Sequence, residues 1–310
     1  MPLRALLAAL VFAVACGQAL AADVIGYSEA FDTLYSIDLT TQTAVEIGRA
    51  TPIGAPRLAN IEGLTASPAG TLYAVSDTAT IKTLLQIDSA TGLSTSVGTL
   101  TFTGGNTSGQ LDLSLAFTCD GRMWMASGTG SFWQVDPATA TATFIGDLGV
   151  KITGLAARGN VLYGTGSQGN NNLYTIDTAT GATALVGAYG SSAPYITTIS
   201  IAFDAAGNLH AILDFNPQPS GSTIIQWNDL AQVTATSGAL DDMGNITASG
   251  NSVADLEFVG MKGLAILPSA CAGQASTSSL PALSWPSLLL LMALLMLVAG
   301  TQFSRRYPSI

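Results

Sequence analysis

The chain has 310 residues, of which 48 % are hydrophobic and only 10 % charged, with 33 glycines. All twenty acidic residues lie between positions 23 and 257, against seven basic ones between 22 and 268. The resulting charge of −13 leaves no basic surface for a nucleic acid. A soluble acidic surface is the plain consequence, and an affinity for divalent cations or basic ligands the sharper one.

Residues 1–21 read as a secretory signal peptide. Arg4 is the charged start, residues 5–15 the apolar core, and Ala19-Leu20-Ala21 an A-x-A site cut between Ala21 and Ala22. The apolar run is too short to span a bilayer. A rival reading takes Ala13-Val14-Ala15-Cys16 as a lipoprotein box, without its usual Leu, and makes Cys16 the lipidated first residue.

Residues 24–27 (VIGY) predict a strand. A fifteen-residue unit then recurs: LYSIDLTTQTAVEIG at 34–48, LLQIDSATGLSTSVG at 84–98, FWQVDPATATATFIG at 132–146 and LYTIDTATGATALVG at 173–187. Each alternates with period two, turns at an Asp-led run of small residues, and returns through a β-branched stretch to a Gly, the pattern of a β-hairpin. Asp38, Asp88, Asp136 and Asp177 read as turn formers, because a catalytic carboxylate is needed once and a turn residue in every unit. A second hairpin precedes each later unit, around 63–75, 113–125, 152–164 and 199–212, so each period supplies four strands. The Asp steps are 50, 48 and 41 residues, and a degenerate fifth unit at 224–228 places Asn228 51 residues on. Four strands in 40–50 residues predict the blade of a β-propeller.

The expectation is an all-β propeller of five four-stranded blades over 22–268. A sixth blade would be added if both C-terminal strands formed a reduced blade of their own. No segment in this range has helical periodicity. The first blade lacks its innermost strand, and either 254–258 (ADLEF) or 263–267 (GLAIL) would supply it and close the ring. Cys119 and Cys271 remain after signal removal, and their pairing is left open by the sequence.

Residues 269–279 (SACAGQASTSS) read as a flexible linker. From 283 to 303 there are 21 residues without a charge, long enough for a transmembrane helix. Arg305 and Arg306 beyond it favour a cytoplasmic C-terminus. Leu280, Pro281, Ala282, Leu283, Ser284 and Trp285, followed by this helix and the two arginines, resemble the bacterial IPTL-type C-terminal sorting signal, over residues 280–306. Leu280 stands for its Ile, Ala282 for its Thr and Pro286 for its Gly, with one residue fewer before the Trp. The resemblance implies a Gram-negative envelope or surface protein whose partner is a membrane-embedded sorting enzyme. The plain alternative is a single-pass membrane anchor. The repeat itself resembles the bacterial L-Y-x-I-D-x-x-T-G propeller units, which occur in proteins of many functions.

No catalytic motif is present: no P-loop, no dinucleotide fingerprint, no C-x-x-C and no G-x-S-x-G. His210 is the sole histidine and falls within a predicted strand, so it reads as packed. Aligning the innermost strands on Leu64, Leu115, Leu155, Ile201 and Leu256 brings Gly63, Ser114, Gly154, Ser200 and Asp255 to one axial position. Glu62, Asp112, Asp255 and Glu257 would hold Ca²⁺ if they converged there, and no other cofactor is expected. Trp124, Trp133 and Trp227 are candidate ligand-facing aromatics, although their period-2 spacing favours the blade core. The reading is a non-catalytic, exported binding module for an unknown surface ligand, held or sorted through its C-terminal helix. The alternatives are a lactonase-like envelope hydrolase with a central Ca²⁺ and a purely structural envelope component.

Overall fold

The computed structural model describes residues 23–28, 32–52, 58, 60–166, 169–190, 196–215, 227–248 and 261–271. All regular structure among them is β. The chain opens on β1 (Asp23–Ser28), β2 (Thr33–Asp38) and β3 (Thr43–Arg49). Next come β4 (Ile61–Ala66), β5 (Leu72–Asp77), β6 (Lys82–Ile87) and β7 (Ser94–Thr99). A two-residue β8 (Thr101–Phe102) leads to β9 (Leu113–Phe117), β10 (Met123–Ser127), β11 (Ser131–Asp136) and β12 (Thr141–Asp147). They are followed by β13 (Gly154–Arg158), β14 (Val161–Thr165), β15 (Asn172–Ile176) and β16 (Thr183–Ala188). The last full set is β17 (Ile196–Phe203), β18 (Leu209–Phe215), β19 (Trp227–Val233) and β20 (Leu240–Asn245). A second short strand, β21 (Thr247–Ala248), precedes β22 (Met261–Leu267).

These strands form five sheets, each built on four antiparallel strands and two of them extended by a short fifth, the five blades of a β-propeller. Blade 1 is completed by the end of the chain: β22 pairs with β1, Ile25 opposite Ala265, and becomes its innermost strand. Closure therefore uses the 263–267 candidate; the 254–258 candidate lies outside the described residues. Apolar side chains of successive blades interlock around the ring, as in the cluster of Leu84, Leu115, Met125 and Trp133 between blades 2 and 3.

The repeat now has a physical explanation at each position. The Asp carboxylate opens its turn by accepting two backbone N–H groups, as Asp88 does from Ala90 and Thr91, both at 2.9 Å. Such bonds hold the Asp38 and Asp88 carboxyls below their ordinary range, and Ala138 N–H with the Thr139 hydroxyl does the same for Asp136. The fourth strand of every blade carries a bulge one residue before the repeat Gly, at Ile47, Val97, Ile145, Val186 and Met243. Two residues beyond each Gly, a side chain is buried between blades: Ala50, Leu100, Leu148, Tyr189 and Ile246.

This register corrects the fifth unit. It is not 224–228 but 230–244 (LAQVTATSGALDDMG), with Thr234 where the other units have Asp. Gly238 N–H bonds Thr234 O at 2.8 Å, as Gly92 does Asp88. Asn228 is instead the second residue of β19 and accepts Met261 N–H on its side chain at 2.8 Å.

The repeat Gly itself is a contact between blades. Gly48, Gly146 and Gly187 lie so close to the next blade's turn that a Cβ would overlap the carbonyls of Thr91, Thr180 and Ser237. The turn residues facing them are glycines: Gly92, Gly181 and Gly238. At the other two junctions the turn residue is Gln42 or Ala140, and the approach is looser; a Cβ on Gly98 would rest 3.6 Å from the Ala140 Cβ. There the linker adds a parallel pair instead, β8 on β12 and β21 on β3. Each such pair also covers part of an outer sheet edge.

Candidate functional site

The five innermost strands, β4, β9, β13, β17 and β22, line a central channel; their first residues mark its upper mouth and their last its lower. At the waist stand Gly63, Ser114, Gly154, Ser200 and Gly263, around a cavity of about 10 Å³. Four of these were expected. The fifth is Gly263 and not Asp255, because the closing strand is β22. Small residues are required: at Gly263 (φ +94°) a Cβ would stand 2.7 Å from the Leu64 Cβ. Ser200 Oγ accepts Gly263 N–H at 2.8 Å, joining blade 5 to blade 1.

The upper mouth receives a polar side chain from each blade: Lys262, Glu62, Asp112, Thr153 and Thr198. They line about 20 Å³, room for one or two waters and far less than an organic substrate needs. Glu62 is the centre of the group. One oxygen accepts Leu113 N–H at 2.8 Å and the other faces Lys262 Nζ at 3.0 Å. Its side chain is 5 % exposed, so burial pushes its carboxyl up to about 7. Lys262 opposes that rise; Asp112 and Asp77 add to it.

A second buried carboxylate holds the same approach to β9. Asp77 accepts Leu111 N–H at 2.5 Å and stands 3.5 Å from Lys82 Nζ, which donates in turn to the Thr78 and Gly109 carbonyls. Burial raises the Asp77 carboxyl as well. Two acids thus position residues 111–113 through alternate backbone N–H groups, an arrangement invisible in the repeat because the approach to β9 lies outside it.

Glu62 and Asp112 are brought to the mouth, as the Ca²⁺ reading requires. Asp255 and Glu257 lie outside the described residues. Among the described residues no three His, Cys, Asp or Glu side chains are grouped to hold a metal ion. At that mouth Glu62 is paired with the Lys262 ammonium, 3.0 Å away. Lys262 is hidden from a sequence alignment that places Leu256 on the fifth inner strand; with β22 in register, the position before the waist reads Glu62, Leu113, Thr153, Ile199, Lys262.

The other candidates fall elsewhere. His210 is 7 % exposed in β18, with Nε2 3.2 Å from Asp204 Oδ2, packed as expected. Trp124 and Trp133 are blade core, their indole N–H groups bonded to Thr118 Oγ1 at 3.0 Å and Gly104 O at 2.8 Å. The side chain of Trp227 lies outside the described residues. So do Ala21, Ala22, Leu280, Pro281, Ala282, Leu283, Ser284, Trp285, Arg305 and Arg306, with the apolar run 283–303. Among the described residues no helix is long and apolar enough to cross a membrane.

The lower mouth is closed differently. Residues Ser269, Ala270 and Cys271, expected in the linker, lie in the folded domain against Ala66, Phe117, Ala157, Phe203 and Ile266, around about 40 Å³. Cys271 is disulfide-bonded to Cys119, in the turn between β9 and β10, which resolves the pairing that the sequence left open.

No family model and no curated protein matches the chain. Solved propeller structures do. A chain of the nidogen–laminin complex is 12 % identical with a TM-score of 0.50, covering 79 % of this chain and 98 % of that one. A protein described as a gluconolactonase is 17 % identical at TM-score 0.44, covering 73 % and 77 %. The PQQ-bound aldose sugar dehydrogenase of Streptomyces coelicolor is 13 % identical at 0.44, covering 79 % and 91 %. The first of these likenesses establishes the fold alone.

Proposed function

We propose that this protein is an exported β-propeller of the Gram-negative cell envelope that binds a surface partner and performs no chemistry of its own. Its signal peptide ends at Ala21. Its C-terminal segment, from Leu280 to Arg306, is a sorting signal read by a membrane-embedded enzyme, with the C-terminus cytoplasmic before any processing.

One observation carries the reading: the path of the chain at the lower mouth. Residues 269–271 lie against the lower ends of the inner strands, and Cys271 is bonded to blade 3. Eight residues, 272–279, then separate Cys271 from the sorting motif. Fully extended they reach about 29 Å, roughly one and a half times the ~20 Å height of a six-residue strand. The chain thus leaves the propeller at its lower face, so attachment through this segment, before or after processing, lies on that side and leaves the upper face, with its polar mouth, free for a partner. A disulfide also suits an oxidising compartment. The water-sized channel and the Glu62–Lys262 pair disfavour the hydrolase with a central Ca²⁺.

The test is the intact mass of the protein from each fraction of its native host. A chain from Ala22 ending between Leu280 and Trp285, in outer envelope or medium, is the expected result. A mass of 22–310 confined to the inner membrane contradicts sorting and leaves a plain anchor. An unprocessed N-terminus contradicts export, and a lipid-sized excess on Cys16 contradicts the cleavage site.

A further inference from the structure

We infer that the Cys119–Cys271 disulfide is a clasp that keeps the ring shut whatever happens to the chain beyond residue 271. Blade 1 is shared between the two ends of the described chain, and β22 is held there by pairing with β1, from Asp23–Leu267 to Ser28–Met261, and by packing of Leu264 and Ile266 against blade 5 and of Ala265 against blade 2. Side chains add Met261 N–H on Asn228, Gly263 N–H on Ser200 and the Lys262–Glu62 pair, but all three lie at the upper end. The lower end, Asp23 opposite Leu267, is where a pull on the following chain would act. Antiparallel strands drawn apart at a single end unzip pair by pair, so this geometry resists least.

Cys271 lies four residues beyond Leu267. Its bond to Cys119 carries the chain across the lower mouth to blade 3, away from the β1–β22 seam. The receiving turn is itself braced by blade 4: Cys119 N–H bonds Gly159 O at 2.9 Å, and Asp120 N–H the Asn160 side chain at 3.1 Å. A pull from the tail is therefore taken by two complete blades. Motion or cleavage of the tail likewise leaves the seam undisturbed. The same bond fixes residues 269–271 at the lower mouth. Cys119 is only partly buried, within reach of a small reductant, whereas Cys271 is 4 % exposed.

The inference stands on the position of the bond and not on the identity of the tail, so its test is separate from the mass measurement. Hydrogen exchange of the full-length protein in detergent is followed with and without a phosphine reductant, starting from the folded state. Amides of β1 and β22 are expected to exchange at least ~10-fold faster after reduction, and those of β13–β16 less than ~2-fold faster. Cys119→Ser should give the same pattern without reductant. No change in β1 and β22, or an equal rise in every blade, overturns the clasp; the second result would leave only a general stabiliser.

Discussion

Glu62 is an acid kept out of water, and its energetics make a prediction with a definite sign. Its carboxyl, ordinarily near 4.5, is pushed up to about 7. The folded protein therefore binds a proton through that window more readily than the unfolded chain, so stability falls as pH rises from about 4.5 to about 7. Asp229, also raised to about 7 by burial and by Asp242, acts in the same direction. Thermal unfolding should thus be most resistant in mild acid. Glu62→Gln should flatten the slope by on the order of 2–3 kcal/mol across that window, leaving the shares due to Asp229 and Asp77. Equal slopes in the two proteins, measured by denaturant midpoints at pH 5 and pH 8, would refute the assignment. The turn acids were legible in the sequence because they recur every blade. The Glu62–Lys262 pair was not, since its members stand 200 residues apart and meet only when the ring closes.

At the scale of the element, two kinds of junction separate the blades, and a single substitution should tell them apart. Gly48→Ala drives a methyl into the Thr91 carbonyl and should destabilise by about 1–3 kcal/mol or more. Gly98→Ala meets the Ala140 methyl at an ordinary distance and should cost less than about 1 kcal/mol. Similar unfolding midpoints for the two variants would remove the distinction. Hairpins and blades were readable from period-2 alternation and from the repeat. The fifth unit was misplaced because Thr234 lacks the Asp that marked the others, and Asn228 six residues earlier offered a similar side chain. β8 and β21 left no periodic trace: two residues are too few to alternate, and only the neighbouring blade makes them strands.

The whole molecule depends on where its ends meet. Sequence offered two closing strands, and the choice of β22 decides the rest: it puts Gly263 at the waist, Lys262 at the upper mouth and Cys271 beside Cys119. The disulfide joins residues 152 positions apart, which no spacing rule could specify. It follows from closure, and with it comes the orientation on which the functional reading rests. The direct measurement is labelling of intact cells with a bulky, membrane-impermeant maleimide, using Ile81→Cys, exposed beside the upper end of β5, and Val161→Cys, exposed at the lower end of β14. On the membrane-held protein, the account predicts that Ile81→Cys reacts on whole cells and faster than Val161→Cys, with the two alike once the protein is extracted. Labelling of either only after cell lysis, or faster labelling of Val161→Cys on whole cells, would contradict it.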